Sequence, residues 1–222
     1  MKRLAICLVI LGLSSGFIFS QSLNMKIGVF VPSMNSDLWQ INLENLTFSK
    51  SDMINVCYGA EYEVFLDRHT SFSLEIGSYI KSVHSRYKDY EFADGSPILQ
   101  DIQLRLTPVE ANIKLYPMGR RYRVFPFIGA GVGVYAWTYQ QWGQFINFED
   151  DTVNEGFAET RRFAFGLNGR VGLVFRFHPR LAFALEGKYQ YVKGRLSQDF
   201  EDFGFFDLGG FTANASVNIY FR

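Results

Sequence analysis

Apolar and polar positions alternate along most of the chain after about residue 22, and the alternation falls into eight blocks. The last block is the clearest: Phe211, Ala213, Ala215, Val217, Ile219 and Phe221 take one parity, and Thr212, Asn214, Ser216, Asn218 and Tyr220 take the other. Period two marks a strand with one dry face and one wet face. The pattern predicts earlier strands at Leu23–Val31, Met53–Leu66, Ser71–Ser82, Gln100–Tyr116, Tyr122–Tyr139, Glu159–Phe177 and Leu181–Lys193, with the eighth at Phe211–Arg222. Pro32 closes the first, because proline has no donor for a ladder.

The connections alternate in length. Asp67–Thr70, Pro117–Arg121 and His178–Arg180 are short; the stretches around 32–52, 83–99, 140–158 and 194–206 are long and read as loops. Three short and four long connections fit an all-β, eight-stranded antiparallel up-and-down barrel with both termini at one end. In a transmembrane barrel of this kind the short turns and both termini would be periplasmic and the loops extracellular. One strand breaks the pattern. Ile102, Leu104 and Leu106 are in phase with one another, but Val109, Ala111, Ile113 and Leu115 take the opposite parity. A β-bulge at Thr107-Pro108 is the expected repair, since one extra residue restores the facing.

Periodicity alone leaves open which face points inward. A soluble lipocalin-like binding barrel in the periplasm would put the apolar set inside; a membrane barrel would put it outside. Gly28, Gly59, Gly77, Gly129, Gly131, Gly133, Gly166 and Gly172 all sit on the polar face, where a narrow lumen needs room. That face also carries Glu61, Glu63, Glu75, Glu110 and Glu186 beside Lys26, Lys81, Lys114, Arg162, Arg170, Arg176 and Lys188. Mixed signs of this kind can pair inside a lumen, where unpaired charge is costly. Phe163, Phe177, Tyr189, Tyr191 and Phe221 end the apolar faces, as interface aromatics do. These three features favour lipid outside. The bulky inward set, including Phe30, Tyr79, Arg162, Arg170, Arg176, Lys188 and Tyr220, predicts a filled bore rather than a wide pore.

Composition adds little against this. The chain has 222 residues and 22 basic against 22 acidic side chains, which gives no footprint for nucleic acid. Met1 to about Ser20 reads as a secretory signal peptide: Lys2 and Arg3, an apolar Leu4–Leu13, then small residues. The domains are then a leader at 1–20 and a barrel at 21–222. Cys7 leaves with the leader, so Cys57 has no intrachain partner. No later stretch is long and apolar enough for a spanning helix.

Candidate chemistry is thin. His69 and His178 fall in short turns, whereas His84 opens a long loop two residues after Ser82 on the same strand face. That pair is the only hint of a lipid-modifying hydrolase or acyltransferase, and no surrounding motif supports it. Glu149, Asp150, Asp151 and Glu155 in the third loop, and Asp199, Glu201, Asp202 and Asp207 in the fourth, lack the glycine-anchored spacing of a calcium loop. Phe200, Phe203, Phe205 and Phe206 among the latter suggest an exposed contact surface. No catalytic, metal-binding or cofactor-binding residue is assigned.

Pro126-Phe127-Ile128-Gly129-Ala130-Gly131-Val132-Gly133, the hairpin Val171–Tyr191 and the final strand to Phe221 resemble the small outer-membrane β-barrels of the porin family, which include the OmpA barrel, OmpX-like and opacity-type proteins. Arg222 departs from the terminal aromatic of that group. The resemblance implies a monomeric barrel in the outer membrane of a Gram-negative bacterium, contacting outer-membrane lipid and lipopolysaccharide and inserted by the barrel-assembly machinery. The function expected is non-enzymatic, surface or adhesion-type, through the four loops and an extracellular partner. A lipid-modifying enzyme and a narrow solute passage are the alternatives.

Overall fold

The computed structural model describes residues 20–147 and 152–221. The predicted leader therefore lies outside the described residues except for Ser20, as do Arg222 and Glu149-Asp150-Asp151. The order is β1 (Gln21–Pro32), α1 (Asp37–Asn45), β2 (Asn55–Phe65), β3 (Thr70–Glu91), β4 (Pro97–Leu115), β5 (Val124–Asn147), β6 (Thr152–His178), β7 (Leu181–Arg195), β8 (Phe205–Asp207) and β9 (Gly210–Phe221). Two 3-10 turns, Lys50–Met53 and Gln198–Phe203, lie in the first and last long connections. Strands β1 to β7 pair antiparallel in chain order, β9 pairs with both β7 and β1, and the ring closes. Eight strands form the wall, as expected, and β8 is a short ninth laid on the end of β7.

Two of the four long loops are not loops. β3 runs on to Glu91 and β4 starts at Pro97, so the stretch 83–99 is mostly a hairpin. β5 and β6 run 24 and 27 residues, out to Asn147 and back from Thr152. A membrane crossing needs only about 9–11 tilted residues. More than half of this hairpin therefore stands clear of any bilayer.

The bulge expected at Thr107-Pro108 is absent. Ile76 pairs with Val109 and Tyr79 with Leu106 in one unbroken register, and β5 pairs straight through, with Thr107 opposite Ala136 and Pro108 opposite Tyr135. Instead, the barrel changes its filling. On β4, Glu110, Asn112 and Lys114 point inward below Pro108, and Leu106, Leu104 and Ile102 point inward above it. The outward set changes in the opposite sense, from Ile113 and Val109 to Arg105, Gln103 and Asp101. β7 repeats this: Glu186, Lys188 and Gln190 inside give way to Val192, while Tyr189 and Tyr191 outside give way to Lys193 and Arg195. β5 goes from Gly129, Gly131 and Gly133 to Tyr135, Trp137 and Tyr139 inside.

The lower part of the barrel is thus apolar outside and polar inside, and the upper part is the reverse. An outward band of Ile27, Leu74, Ile113, Val132, Phe165, Leu185 and Val217 encircles the lower wall. Such a contiguous band is far larger than a soluble surface carries and matches the lipid-facing belt of a membrane barrel. The upper part is built like a soluble barrel, with the core inside.

Candidate functional site

The lower lumen is filled by a charge network. The ammonium of Lys26 lies 2.6 Å from Glu61 and from Glu75, and 3.1 Å from Glu186. Lys114 reaches Glu61 at 2.5 Å and Glu63 at 3.5 Å. The guanidinium of Arg170 forks between Glu75 at 2.7 Å and Glu110 at 2.9 Å, the planar geometry that arginine offers two carboxylates. Lys188 joins the same two carboxylates at 3.1 and 3.0 Å. Tyr135 donates to Glu110 and Tyr116 to Glu63. All of these charges are buried, so the low local dielectric makes each pair strong and each missing partner costly. The glycines on β5 make the room: a Cβ on Gly131 would sit 2.0 Å from Oδ1 of Asn112.

Below the charges, at the end with the short turns, Phe65, Tyr116, Phe125, Phe127 and Tyr220 form an aromatic floor. Arg120 lies 3.6 Å over the Phe65 ring, and Arg176 lies 5.0 Å over the ring of Tyr220. Above the charges, the first connection folds into the mouth. Trp39 of α1 is fully buried, stacks on Phe206 at 4.7 Å, meets Tyr139 edge-on at 5.5 Å and donates Nε1–H to the Asp207 carbonyl at 3.1 Å. Asn42 donates to the Tyr139 hydroxyl at 2.8 Å. The backbone N–H and hydroxyl of Ser49 hold the Asp52 carboxyl below the usual carboxylate range, which fixes the turn after α1. Between cap and network there remains a cavity of about 40 Å³, lined by Phe30, Cys57, Tyr79, Leu106 and Gln190 among others.

Part of the expected inward set lies elsewhere. Arg170, Arg176, Lys188, Phe30, Tyr79 and Tyr220 are inside or half-buried, but Arg162 is exposed. The reason is local: β7 pairs with β6 only as far as Val192 opposite Gly166, so beyond that point β6 has no strand partner on its β7 side to keep Arg162 in the lumen. Lys81 is half-buried and takes no part in the network.

No family model matches the sequence, and no curated protein matches it. Among solved structures, the outer membrane protein OprG from Pseudomonas aeruginosa superposes with a TM-score of 0.60 at 12% identity, covering 92% of this chain and 96% of that one. A major outer membrane protein from Thermus thermophilus gives 0.51 at 11% identity, over 92% and 100%. The chain has the fold of the small outer-membrane β-barrels. At these identities the likeness covers the architecture alone.

The one candidate catalytic pair, Ser82 and His84, is not assembled for catalysis. Ser82 and His84 share a face, as expected; it is the outer face of β3 rather than the start of a loop, and His84 Nδ1 contacts the Asp101 carboxylate on β4. The Ser82 hydroxyl, however, accepts from Gln103 Nε2 at 2.6 Å and is not hydrogen-bonded to His84. A histidine oriented by an acid but separated from its hydroxyl lacks the nucleophile–base contact that acyl transfer uses.

The acidic fourth connection is structural in part. Asp199 accepts the Glu159 N–H at 3.0 Å, and Asp207 accepts the Asn35 N–H at 3.0 Å and the Gly209 N–H at 2.9 Å. No group of three metal-ligating side chains comes together among the described residues. The expected apolar tip is corrected too: Phe200 and Phe206 are buried in the cap, and Phe205 is the one well exposed. The apolar residues presented at the rim are on the hairpins, in stretches that the sequence pattern reads as loop. Leu99 on β4 and Phe157 on β6 are exposed, and the half-buried Trp142 on β5 is directly opposite Phe157.

Proposed function

We propose that the protein is a non-enzymatic outer-membrane surface protein. The lower barrel anchors it, with both termini and the short turns in the periplasm, and the β5–β6 hairpin makes contact outside the cell. The observation that carries this reading is the placement of Leu99, Trp142 and Phe157 on the outer face above the lipid-facing band. An apolar patch held in water on the outer face of a paired hairpin is a contact surface by the ordinary rule for such patches. The closed lumen supports the same reading against solute passage. Aromatic floor, charge network and apolar cap lie in series, and eight strands leave no bore once side chains fill them.

The test is adherence of intact cells to apolar and host-cell surfaces, with and without the protein. Expression raises adherence, and the double substitution Trp142→Ser with Phe157→Ser removes the gain while leaving the heat-dependent gel shift of a folded barrel. Adherence that expression does not change, or that the substitutions leave intact, overturns the reading.

A further inference from the structure

Just above the lipid-facing band, the outer face of β4, β5 and β6 carries an arginine row. Arg105 is directly opposite Thr138, and Thr138 is directly opposite Arg161. All three point outward, and Arg162 swings out beside them into the same surface groove. The row below is Thr107, Ala136 and Phe163, and the row below that is Val109, Val134 and Phe165. On β4, β5 and β6 the arginines are therefore the first outward charges above the apolar belt, at the level where lipid headgroups lie.

Among the described residues, none of the guanidiniums of Arg105, Arg161 and Arg162 makes an ion pair or a side-chain hydrogen bond, in a barrel whose fully buried charges are ion-paired. The nearest carboxylate in the sheet register, Glu159, lies one row higher and accepts from Gln140 at 3.2 Å; Asp101 beyond it is engaged by His84. Directly beneath the groove a second, mostly apolar one runs down the wall between Leu74, Val109, Val132, Phe165 and Leu167, where small Ala111 lowers the surface and Lys193 stands at the β7 edge.

We propose that these two grooves form one site for a phosphorylated, multiply acylated glycolipid of the outer leaflet, of the lipid A class. Its phosphate sits between Arg105 and Arg161, and an acyl chain lies along the groove below. A guanidinium suits this better than an ammonium, because it binds phosphate bidentately and is weakly hydrated. The flanking Phe163 and Phe165 rings mark the junction of headgroup and chain, where aromatics concentrate. The site rests on the outward orientation proposed above but not on any contact by the hairpin tip.

The barrel is reconstituted in phosphatidylcholine nanodiscs with equal shares of bisphosphorylated and dephosphorylated lipid A, then stripped in mild detergent. Retained lipid is counted by native mass spectrometry. The wild type keeps the bisphosphorylated form roughly ten-fold over the other, as one charge-assisted phosphate contact predicts. Arg105→Gln with Arg161→Gln abolishes the preference, Arg161→Gln alone weakens it, and Arg86→Gln, an outward arginine on β3, leaves it unchanged. The heat-dependent gel shift confirms folding of each variant. Equal retention by the wild type, or a preference that survives the double substitution, overturns the proposal. So does erasure of the preference by millimolar inorganic phosphate, which would make the site one for the free anion. Because the readout is lipid retention, its failure is separate from a failure of adherence.

Discussion

Leu106 and Val109 lie three residues apart on β4 and face opposite sides of one unbroken wall: Leu106 is 2% exposed inside the barrel, and Val109 is 51% exposed outside it. Both are apolar, so the barrel cannot be apolar on one side throughout. The relationship places the boundary between lipid and water on the outside at the height of Thr107, and the boundary between charge network and apolar core on the inside at the same height. The two coincide for a physical reason. Where the outer face is solvated, the strands need an apolar interior for cohesion; where the outer face is in lipid, a polar interior with paired charges is tolerated.

The network below that boundary predicts unequal costs for its members. Arg170→Leu leaves Glu75 and Glu110 buried with one fewer cation, and costs about 3–5 kcal/mol, the usual penalty for breaking a buried pair. Replacing Arg170, Lys188, Glu75 and Glu110 together by apolar residues of similar volume removes two cations with two carboxylates, leaves Lys26 with Glu61 and Glu186, and costs much less. Urea unfolding in detergent micelles, followed by gel mobility, measures both. A quadruple variant less stable than the single one would contradict the electrostatic reading.

Glycine in β5 is a matter of space. A Cβ at Gly131 meets Asn112 Oδ1 at 2.0 Å and the Ala111 carbonyl at 2.6 Å, and the carbonyl belongs to the sheet itself. Gly131→Leu therefore abolishes the heat-dependent gel shift of a folded barrel. Gly169, on the outer face with nothing within 4 Å of its Cβ position, accepts the same substitution and folds.

The cap is separable from the wall. Trp39→Ala removes a fully buried indole that holds α1 against Phe206 and Tyr139, a change that costs about 3–5 kcal/mol in a packed core. The loss falls on the first connection, because α1 is not part of the sheet. Trypsin then cuts at Lys50 faster than in the wild type, and the barrel still shows its gel shift. Loss of the shift would mean that cap and wall fold as one unit.

The ring is readily legible in the sequence and the upper half poorly so. β1, β2 and β9 each keep one parity through most of their length, so their period-two pattern marks them within a few residues. The stretch 83–99 escapes because its alternation is inverted: Val83, Ser85 and Tyr87 point in while His84, Arg86 and Lys88 point out, and a single facing rule reads this as polar loop. The signal is present in the parity change at Thr107-Pro108, for which a bulge is the simpler local explanation. Arg162 is misplaced for a different reason: parity assumes a neighbour on each side, and β7 leaves β6 above Gly166. The paired lumen charges are legible as residue types on one face, but their partners are not, since Lys26 and Glu186 are 160 residues apart in the chain. The arginine row needs the register of three strands before it can be seen at all.

The inversion on β4 is the central claim, and spin labels test it most directly. In a chain beginning at Gln21 with Cys57→Ser, single cysteines replace Ile113, Val109, Arg105 and Asp101, all outward-facing, and the barrel is reconstituted in lipid. Collision with oxygen, which concentrates in lipid, is expected to dominate at 113 and 109, and collision with a water-soluble nickel chelate at 105 and 101. Oxygen dominance continuing through 101, or chelate access at 109, would contradict a boundary at Thr107.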